Sequence, residues 1–354
     1  MSERRSSGVH LISATTAAPL TVGVIGAGDI VRAVHLPVLK ALPDTSIAWI
    51  TDVDAGRADA LARSYRVPSV SLPKQLDALP DADIYLLAIP FGVRGPYYEA
   101  LRGRHGAIYA EKPFAIEVAQ HDLLCDWFPA HALASGLMMR SWGANRSLAG
   151  MARSQTFGPL RRARFGYGHP GMVTAGRFYL DRSRGGGGML GELAIHGIDT
   201  VLHVAGASGV KVDDVERGRV DGSTAHTKAL LIADTDGDSV EVEIVVSALS
   251  DTIEGVEFEF EYATVSYPLP GFGYALHGEQ VDMTPIVRPL RGGEPFRLTP
   301  FAGGCHPATK SQMFAEYYRR FIGGIRDGEA NETSAAASRL TTQVIESLEN
   351  DGAQ

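Results

Sequence analysis

Short apolar segments alternate with helical patterns over the first 140 residues, and this alternation constrains the fold more than any other feature. Residues 20–25, 47–51, 83–89 and 107–110 are rich in β-branched and aliphatic side chains, and the segments between them space their apolar residues as helices do. Short strands that alternate with helices are typical of βαβ units in a parallel sheet. The sequence therefore predicts an α/β domain with a doubly wound parallel sheet over residues 20–140.

The pattern changes after residue 140. Segments within residues 159–167 and 229–267 alternate polar and apolar side chains, which is typical of antiparallel strands with one solvated face. Helical spacing returns over residues 313–348. The sequence therefore predicts an α+β domain over residues 141–354, with an open-faced, mostly antiparallel sheet and C-terminal helices that pack back on the core. The first 19 residues are small and polar, and they predict a disordered tail.

The composition limits the partners and the location that we expect. The chain has 354 residues and a net charge of −8, which argues against a nucleic-acid-binding surface. No stretch of about 18 apolar residues predicts a membrane span, and the residues after Arg4-Arg5 lack the apolar core of an export signal. These features indicate a cytoplasmic protein with no membrane or nucleic-acid partner. Glycine occurs 40 times, about 11 % against a usual 7 % or so, so the positions of the glycines matter.

Two of these glycines lie where the first predicted strand turns into a helix. In Gly26-Ala-Gly28 the missing side chains would let a pyrophosphate approach the backbone and the free N–H groups of the helix. Asp52 ends the second strand at the position of a carboxylate that accepts ribose hydroxyls. Tight turns also use glycine for structural reasons alone, but this order of elements predicts dinucleotide binding. The Asp52 carboxylate would repel a 2′-phosphate and therefore favours NAD. Arg57 lies close enough in the sequence to bind a 2′-phosphate, so NADP remains an alternative.

A lysine follows the fourth predicted strand in Glu111-Lys112-Pro113. Ligands of open α/β sheets bind outside the carboxyl ends of the strands, and the proline keeps Lys112 out of helical geometry. A lysine at this place can hydrogen-bond a reacting hydroxyl or carbonyl oxygen and stabilise negative charge on it. The alternative is a solvated surface lysine.

The glycine run 185–188 precedes a helical pattern that contains Glu192, His196 and Asp199. Residues three and four apart share one face of a helix, so these three side chains are expected in one line. A histidine beside a carboxylate is suited to proton transfer near neutral pH. We predict no metal, because no further His/Cys cluster completes the trio. The alternative is a capped helix whose polar face packs against another element.

Together these motifs resemble the glucose–fructose oxidoreductase / inositol dehydrogenase / rhizopine-catabolism (Gfo/Idh/MocA) family, from about residue 20 to near the C-terminus. The matching segments are Val24-Ile-Gly-Ala-Gly28, His35-Leu-Pro37, Asp52, Glu111-Lys-Pro113 and Gly186-Gly-Gly-x-Leu190 with His196 and Asp199. The resemblance implies a Rossmann domain followed by an open-faced sheet domain that binds substrate and pairs subunits. It also implies that Lys112 is the active-site lysine, His196 the proton donor or acceptor, and Glu192 the carboxylate beside it.

The chain departs from the family pattern at two places. Glu192 and Ala194 stand where the family usually has Asp and Gly. The segment 89–94, Ile-Pro-Phe-Gly-Val-Arg, replaces a Thr-Pro-Asn-x-x-His segment, so Phe91 and Arg94 are expected to alter the nicotinamide side of the pocket.

The resulting hypothesis is reversible hydride transfer between nicotinamide and a carbinol or keto carbon of a sugar, sugar derivative or cyclitol, in a homo-oligomer (dimer or tetramer). Two alternatives stay open: a reductase of an imine or non-sugar carbonyl, and a non-catalytic dinucleotide- or sugar-sensing protein. The predicted cofactor-binding residues are Gly26, Gly28, Asp29, Ile30, Asp52, Arg57, Ile89, Pro90, Glu111, Lys112 and Pro113. The predicted substrate-binding residues are Arg140, Trp142, Tyr167, His169, Arg177, Tyr179 and Asp199.

Overall fold

The computed structural model describes residues 18–170, 189–220, 223–269, 282–299 and 309–350. Within these residues, the first half of the chain forms a parallel sheet in the order β2-β1-β3-β4-β5. Its strands are β1 (Leu20–Ile25), β2 (Thr45–Thr51), β3 (Ile84–Leu87), β4 (Ala107–Ala110) and β5 (Leu133–Ser135). The strand order reverses beside β1, and ligands of such sheets bind at the carboxyl ends of the strands next to this point.

Helices cover this parallel sheet. They are α1 (Leu36–Ala41), which follows a π-helical turn at Val31–His35, α2 (Ala55–Tyr65), α3 (Gly95–Leu101) and α4 (Val118–Trp127). The strands are buried almost throughout, with Ile84–Leu87 and Ala107–Ala110 inaccessible along their whole length. Strands that are covered on both faces read as continuous apolar runs, which explains why the sequence pattern found them.

The second half forms a larger sheet, in the order β13-β12-β11-β10-β6-β9-β8-β7 among the described residues. Its strands are β6 (Leu160–Tyr167), β7 (Gly209–Val220), β8 (Ser223–Thr235), β9 (Asp238–Ser247), β10 (Gly255–Phe260), β11 (Ala263–Pro268), β12 (Ile286–Pro289) and β13 (Phe296–Arg297). Neighbouring strands are antiparallel except β6 and β9, which run parallel.

Four helices accompany this sheet and connect it with the first half. They are α5 (Gly143–Arg153), α6 (Ile195–Ala205), α7 (Lys310–Asp327) and α8 (Arg339–Glu349), of which α6 and α8 pack on the strands of the sheet. Gly197 brings α6 against β6, because a Cβ at this position would lie 2.0 Å from the ring of Phe165. Helix α7 returns to the parallel sheet, where the Tyr318 hydroxyl lies 2.8 Å from Nδ1 of His35. Helix α8 contacts α4 through a hydrogen bond from the Val118 N–H to Glu346, 3.0 Å long.

The predicted fold class is confirmed: a doubly wound parallel sheet is followed by a mostly antiparallel sheet. Strand β7 was missed, because few of its side chains are buried and its sequence is largely polar. The domain boundary at residues 140 and 141 stays a prediction, and the predicted tail lies almost entirely outside the described residues.

Candidate active site

The glycine turn after β1 packs closely against the end of β3. Gly26 has φ +108°, and a Cβ there would lie 2.4 Å from the carbonyl oxygen of Ala88. Only glycine adopts this conformation without strain and leaves room for that contact. Gly28 differs, because a Cβ at this position would meet nothing within 4 Å. The backbone at Gly28 is therefore bordered by open space at the carboxyl edge of the sheet.

Asp52, directly after β2, is fixed against this turn. Its Oδ2 accepts a hydrogen bond from the Ala27 N–H at 2.6 Å, and its Oδ1 accepts one from the Asp54 N–H at 2.8 Å. Asp54 caps α2 and lies 3.8 Å from the Arg57 guanidinium, so Arg57 is paired with a neighbour of Asp52. A glycine turn with open space beside it and a carboxylate at its side fit the pyrophosphate and ribose of a dinucleotide.

The remaining predicted cofactor residues border the same edge of the sheet. Asp29 and Ile30 begin the helical segment after the glycine turn, and Asp29 is exposed with an ion pair to Arg32 at 2.9 Å. Ile89 and Pro90 follow β3, and Cγ2 of Ile89 would lie 3.0 Å from a Cβ at Gly26. Glu111, Lys112 and Pro113 follow β4. The structure therefore brings the predicted cofactor residues together, and their contact with a cofactor stays a prediction.

The expected effect of Arg94 on the nicotinamide side stays a prediction, but its side chain is bonded within the protein. The guanidinium is buried and donates to backbone carbonyls of the loops after β3 and β4: to Ile89 at 2.9 Å, to Pro113 at 2.7 Å, and to Glu111. A planar group with five N–H donors suits such multiple contacts. Arg94 therefore holds together the two loops that carry the predicted site residues.

Glu111 is buried, and its carboxylate is bonded within the protein. Its Oε1 lies 2.8 Å from Nε2 of His35, and its Oε2 accepts a hydrogen bond from the Lys112 N–H at 3.1 Å. Burial raises the pKa of the Glu111 carboxyl, but the hydrogen bond and charge of His35 and the positive charges of Lys112 and Arg94 hold this pKa at about 2. Glu111 is therefore ionised at neutral pH and acts as a fixed negative charge behind Lys112.

Lys112 reaches from the parallel sheet to the second half of the chain. Its Nζ donates to the backbone oxygen of Glu192 and to Oε2 of the same residue, both at 2.7 Å. The Lys112–Pro113 peptide bond is cis. Gly136 lets β5 approach this loop, because a Cβ there would lie 2.9 Å from the Lys112 nitrogen. The side chains of Lys112 and Glu192 are only 18 % and 11 % exposed, so the pair is largely buried.

His196 lies just beyond Glu192, in the first turn of α6, and is 4 % exposed. Burial, followed by the positive charge of Lys112, lowers the pKa of His196 to about 3; Glu111 opposes this effect and Lys310 adds to it. Lys310, the first residue of α7, is itself buried. Burial lowers the pKa of Lys310, Glu111 raises it and Lys112 lowers it. The site thus combines a neutral imidazole with two ammonium groups and two carboxylates.

The expected line of Glu192, His196 and Asp199 stays a prediction. Glu192 belongs to a π-helical turn, Leu190–Ala194, whereas His196 and Asp199 lie three residues apart in α6. The Asp199 carboxylate accepts from Arg140 in a bidentate pair, with Nε to Oδ2 at 2.8 Å and Nη2 to Oδ1 at 2.7 Å, and from the Thr341 hydroxyl at 2.7 Å. Asp199 is 1 % exposed, so it fixes α6 within the protein in this structure.

Two family models cover most of the chain. Residues 20–133 match the model described as "Oxidoreductase family, NAD-binding Rossmann fold", and residues 146–282 match "GFO/IDH/MocA C-terminal domain". The chain belongs to the Gfo/Idh/MocA family. The predicted resemblance is thereby confirmed over both halves of the molecule.

Similar proteins of this family act on sugar derivatives. The dTDP-3,4-didehydro-2,6-dideoxy-alpha-D-glucose 3-reductase of Streptomyces antibioticus is 29 % identical over 203 residues, which are 53 % of this chain and 60 % of that protein. A 3-ketoreductase from Actinomadura kijaniata, solved with NADP and TDP-benzene, is 20 % identical with a TM-score of 0.72, covering 93 % of this chain and 97 % of that one. The aldose-aldose oxidoreductase from Caulobacter crescentus, solved with glycerol, is 17 % identical with a TM-score of 0.74, covering 93 % and 96 %. At these identities the solved structures show a common fold.

The other predicted substrate residues of this Gfo/Idh/MocA chain are scattered. Trp142 is buried before α5, with its ring 5.4 Å from that of Tyr267. Tyr167 ends β6 and stacks on Phe165, whereas His169 is exposed and its Nδ1 lies 3.1 Å from the Pro170 oxygen. Arg177, Tyr179 and the glycine run 185–188 lie outside the described residues. Substrate contact by this set stays a prediction.

Sequence reasoning missed two groups at the site, Gly136 and Lys310. The signal for Lys310 was present, because Thr309 and Gln312 form a capping box that marks the start of α7. No motif marked Gly136, whose role depends on the contact between β5 and the loop after β4.

The described residues contain no cluster of three or more His, Cys, Asp or Glu side chains placed to hold a metal ion. Among the same residues, every helix is too short or too polar to cross a membrane. The cytoplasmic location stays a prediction.

Proposed function

We propose that this protein is an NAD(P)-dependent oxidoreductase that transfers a hydride between nicotinamide and a carbinol or keto carbon of a sugar derivative. The observation that carries the proposal is the pair of hydrogen bonds, each 2.7 Å, from Lys112 Nζ to Glu192, with His196 beside it and the glycine turn at the same sheet edge. The relative from Streptomyces antibioticus, a reductase of a dTDP-linked didehydro sugar, supports this substrate class.

The residues that would hold the dinucleotide are Gly26, Gly28 and Asp52. The backbone at Gly28 borders open space, and Asp52 presents a carboxylate to the ribose side of the turn. The cofactor supplies the group that donates or accepts the hydride, while the protein contributes binding, orientation and proton transfer.

Lys112 binds the reacting oxygen of the substrate. Its ammonium donates two hydrogen bonds to Glu192, and these hold Nζ at a fixed place beside α6. A positive charge that is already oriented stabilises an oxyanion without reorganisation during the reaction. Because the Glu192 carboxylate is adjacent, it keeps the Lys112 ammonium oriented.

His196 moves the proton. Its pKa of about 3 keeps the imidazole neutral at pH 7, so a ring nitrogen accepts the hydroxyl proton as the alcohol is oxidised. In the direction of carbonyl reduction, the ring is neutral at pH 7, so this nitrogen first takes up a proton from solvent and then gives it to the oxygen. Lys112 and Lys310 both disfavour imidazolium, so the protonated histidine releases its proton readily.

NAD is the proposed cofactor rather than NADP. Both Asp52 oxygens accept backbone N–H groups, which fixes the carboxylate where a 2′-phosphate would need a cation. Arg57 is 57 % exposed and lies next to Asp54. We expect a lower KM for NADH than for NADPH, and an Asp52→Ser variant that loses at least about tenfold of this preference. A lower KM for NADPH in the unchanged protein would reject the NAD assignment.

We also propose a homo-oligomer, a dimer or tetramer, that uses the outer face of the large sheet. Half-exposed ion pairs cover this face: Arg162 and Arg164 each contact Glu243, at 2.9 and 3.0 Å. Light scattering coupled to gel filtration tests this, and a monomeric molar mass contradicts it.

The activity is tested by titrating the protein with NAD(H) and NADP(H), followed by a screen of keto sugars, dTDP-linked keto sugars, cyclitols and imines. We expect turnover with a sugar derivative that falls at least about a hundredfold in Lys112→Ala and in His196→Ala, with cofactor binding retained. Lys228→Ala, which removes an exposed lysine of β8, is the matched control. Near-normal turnover in both site variants refutes the assignment, and cofactor binding without any turnover favours a sensing role.

A further inference from the structure

A cavity of about 350 Å³ opens between α5, α6 and α7, apart from the proposed active site. It is lined by Arg146 and Arg153 of α5, His203 of α6, Arg320 of α7 and the nearby Glu332. A volume of this size is in the range of small-molecule sites, which begin at roughly 300 Å³. His203 lies two helical turns beyond His196, about 10 Å further along α6. The cavity is therefore a separate feature of the fold.

Positive charge exceeds negative charge among the lining residues. Glu332 forms a bidentate pair with Arg320, with Nε to Oε1 at 2.7 Å and Nη2 to Oε2 at 3.0 Å, and the same carboxylate lies 3.6 Å from Nε of Arg146. Arg153 forms no ion pair with any residue in the described ranges. One carboxylate thus faces three guanidinium groups, which leaves a surplus of two positive charges.

His203 adds a polar group that is not satisfied within the protein. In the described part of the chain, its Nε2 is buried and has no hydrogen-bond partner. Burial, followed by the positive charge of Arg140, lowers the pKa of His203 to about 4, while Asp199 and Glu332 oppose this effect and Arg153 adds to it. Since buried polar atoms usually have partners, this nitrogen leaves hydrogen-bonding capacity unused next to the cavity.

We propose that this cavity binds an oxyanion with at least two negative charges, of the phosphate class. Guanidinium groups form paired hydrogen bonds with phosphate oxygens, and three of them around one cavity suit a compact multivalent anion. The anion neutralises the surplus charge of Arg146, Arg153 and Arg320. The sources of this chemistry are free phosphate and the phosphoryl group of a small metabolite.

The test is a calorimetric titration with inorganic phosphate and, separately, with glucose 6-phosphate, at constant ionic strength and with and without saturating NADH. We expect saturable binding that is unchanged by NADH and weakened at least tenfold in Arg153→Ala. Because Arg153 is exposed and forms no ion pair with a described residue, its loss is not expected to unfold the protein. Arg319→Ala is the matched control, since Arg319 neighbours Arg320 but pairs with Glu316 outside the cavity.

Tighter binding of one probe identifies the source as free phosphate or as a phosphorylated metabolite. Equal binding to the unchanged protein and to Arg153→Ala overturns the proposal. Displacement of phosphate by NADH overturns it too, because the anion then lies at the glycine turn. Equal heat from sodium chloride at the same ionic strength shows unspecific screening, which also rejects the site. None of these outcomes depends on whether the protein turns over a sugar.

Discussion

Two carboxylate–cation pairs flank His196, and they differ in how far each is sealed from solvent. In the proposed active-site pair, Lys112 and Glu192 are 18 % and 11 % exposed. In the structural pair, Arg140 and Asp199 are 8 % and 1 % exposed. Each pair joins a cation that follows a strand of the parallel sheet to a carboxylate in or just before α6.

The partners differ as well as the exposure. The Asp199 carboxylate accepts hydrogen bonds from two nitrogens of the planar Arg140 guanidinium and from the Thr341 hydroxyl. Both of its oxygens are therefore bonded, and its position is fixed. The Glu192 carboxylate accepts from the Lys112 ammonium, the group that we propose to bind the substrate oxygen. The structural pair therefore anchors α6 next to the proposed active-site pair.

The largest expected effect is the loss of stability in Asp199→Ala. Removing one partner leaves the buried Arg140 charge uncompensated, which costs about 3–5 kcal/mol of unfolding free energy. Urea denaturation monitored by circular dichroism measures it. Thr341→Val removes a single hydrogen bond to the same carboxylate and serves as the graded control, with an expected loss of about 1 kcal/mol. A stability within 1 kcal/mol of the unchanged protein for Asp199→Ala would show that the pair is no anchor.

Glu192→Gln is expected to lower the activity while it leaves the stability nearly unchanged. We expect kcat to fall roughly tenfold to a hundredfold, because Lys112 loses the charge that orients it, while its bond to the Glu192 backbone oxygen remains. The unfolding free energy is expected to change by less than about 1.5 kcal/mol. Steady-state kinetics and urea denaturation of the same preparation separate the two effects. Glu192→Asp restores the residue usual in the family and tests whether the longer side chain is needed to reach Lys112.

The two histidines of α6 should make the protein sensitive to mild acid. Their pKa values, about 3 for His196 and about 4 for His203, lie below the ordinary 6.5. Between these values and pH 6.5, the unfolded chain therefore binds more protons than the folded protein. The stability is complete well above pH 6.5 and decreases as the pH falls through 6.5, by about 1.4 kcal/mol per histidine at pH 5.5. Urea denaturation at pH 7.5, 6.5 and 5.5 measures this slope.

The variants His196→Asn and His203→Asn should each reduce the slope of unfolding free energy against pH by the contribution of one histidine. His169→Asn, which removes an exposed histidine, should leave the slope unchanged. An unaltered pH dependence in both α6 variants would mean that neither ring is kept neutral by burial.

The sequence predicted the parallel sheet well, because buried strands such as Ile84–Leu87 are continuous apolar runs between helices. It also selected Lys112, Glu192 and His196, since their types and their places after strands or glycines suggest chemistry. The hydrogen bond between Lys112 and Glu192 joins residues 80 positions apart. Local spacing carries no information on such contacts.

Local spacing did not reveal the partners of Asp199 and Arg94. Asp199 lies three residues beyond His196 on α6, and its carboxylate pairs with Arg140, 59 residues away in the sequence. Arg94 follows a strand as a pocket residue would, yet four backbone carbonyls surround its guanidinium. Charged residues near a site serve either chemistry or support, and the tertiary partner decides which.

The smallest expected effect comes from Lys310, whose charge acts on His196 in the proposed active site. Lys310→Met removes a buried positive charge that lowers the pKa of His196, so that pKa should rise. We expect the acid limb of the kcat/KM profile to move to higher pH by less than about one unit, with the optimum rate within tenfold, because Lys112 remains. Lys310→Arg keeps the charge and should retain the original profile. If the rate of Lys310→Met instead collapses at every pH, the Lys310 ammonium binds the reacting oxygen directly. The proposed active site would then contain two catalytic lysines.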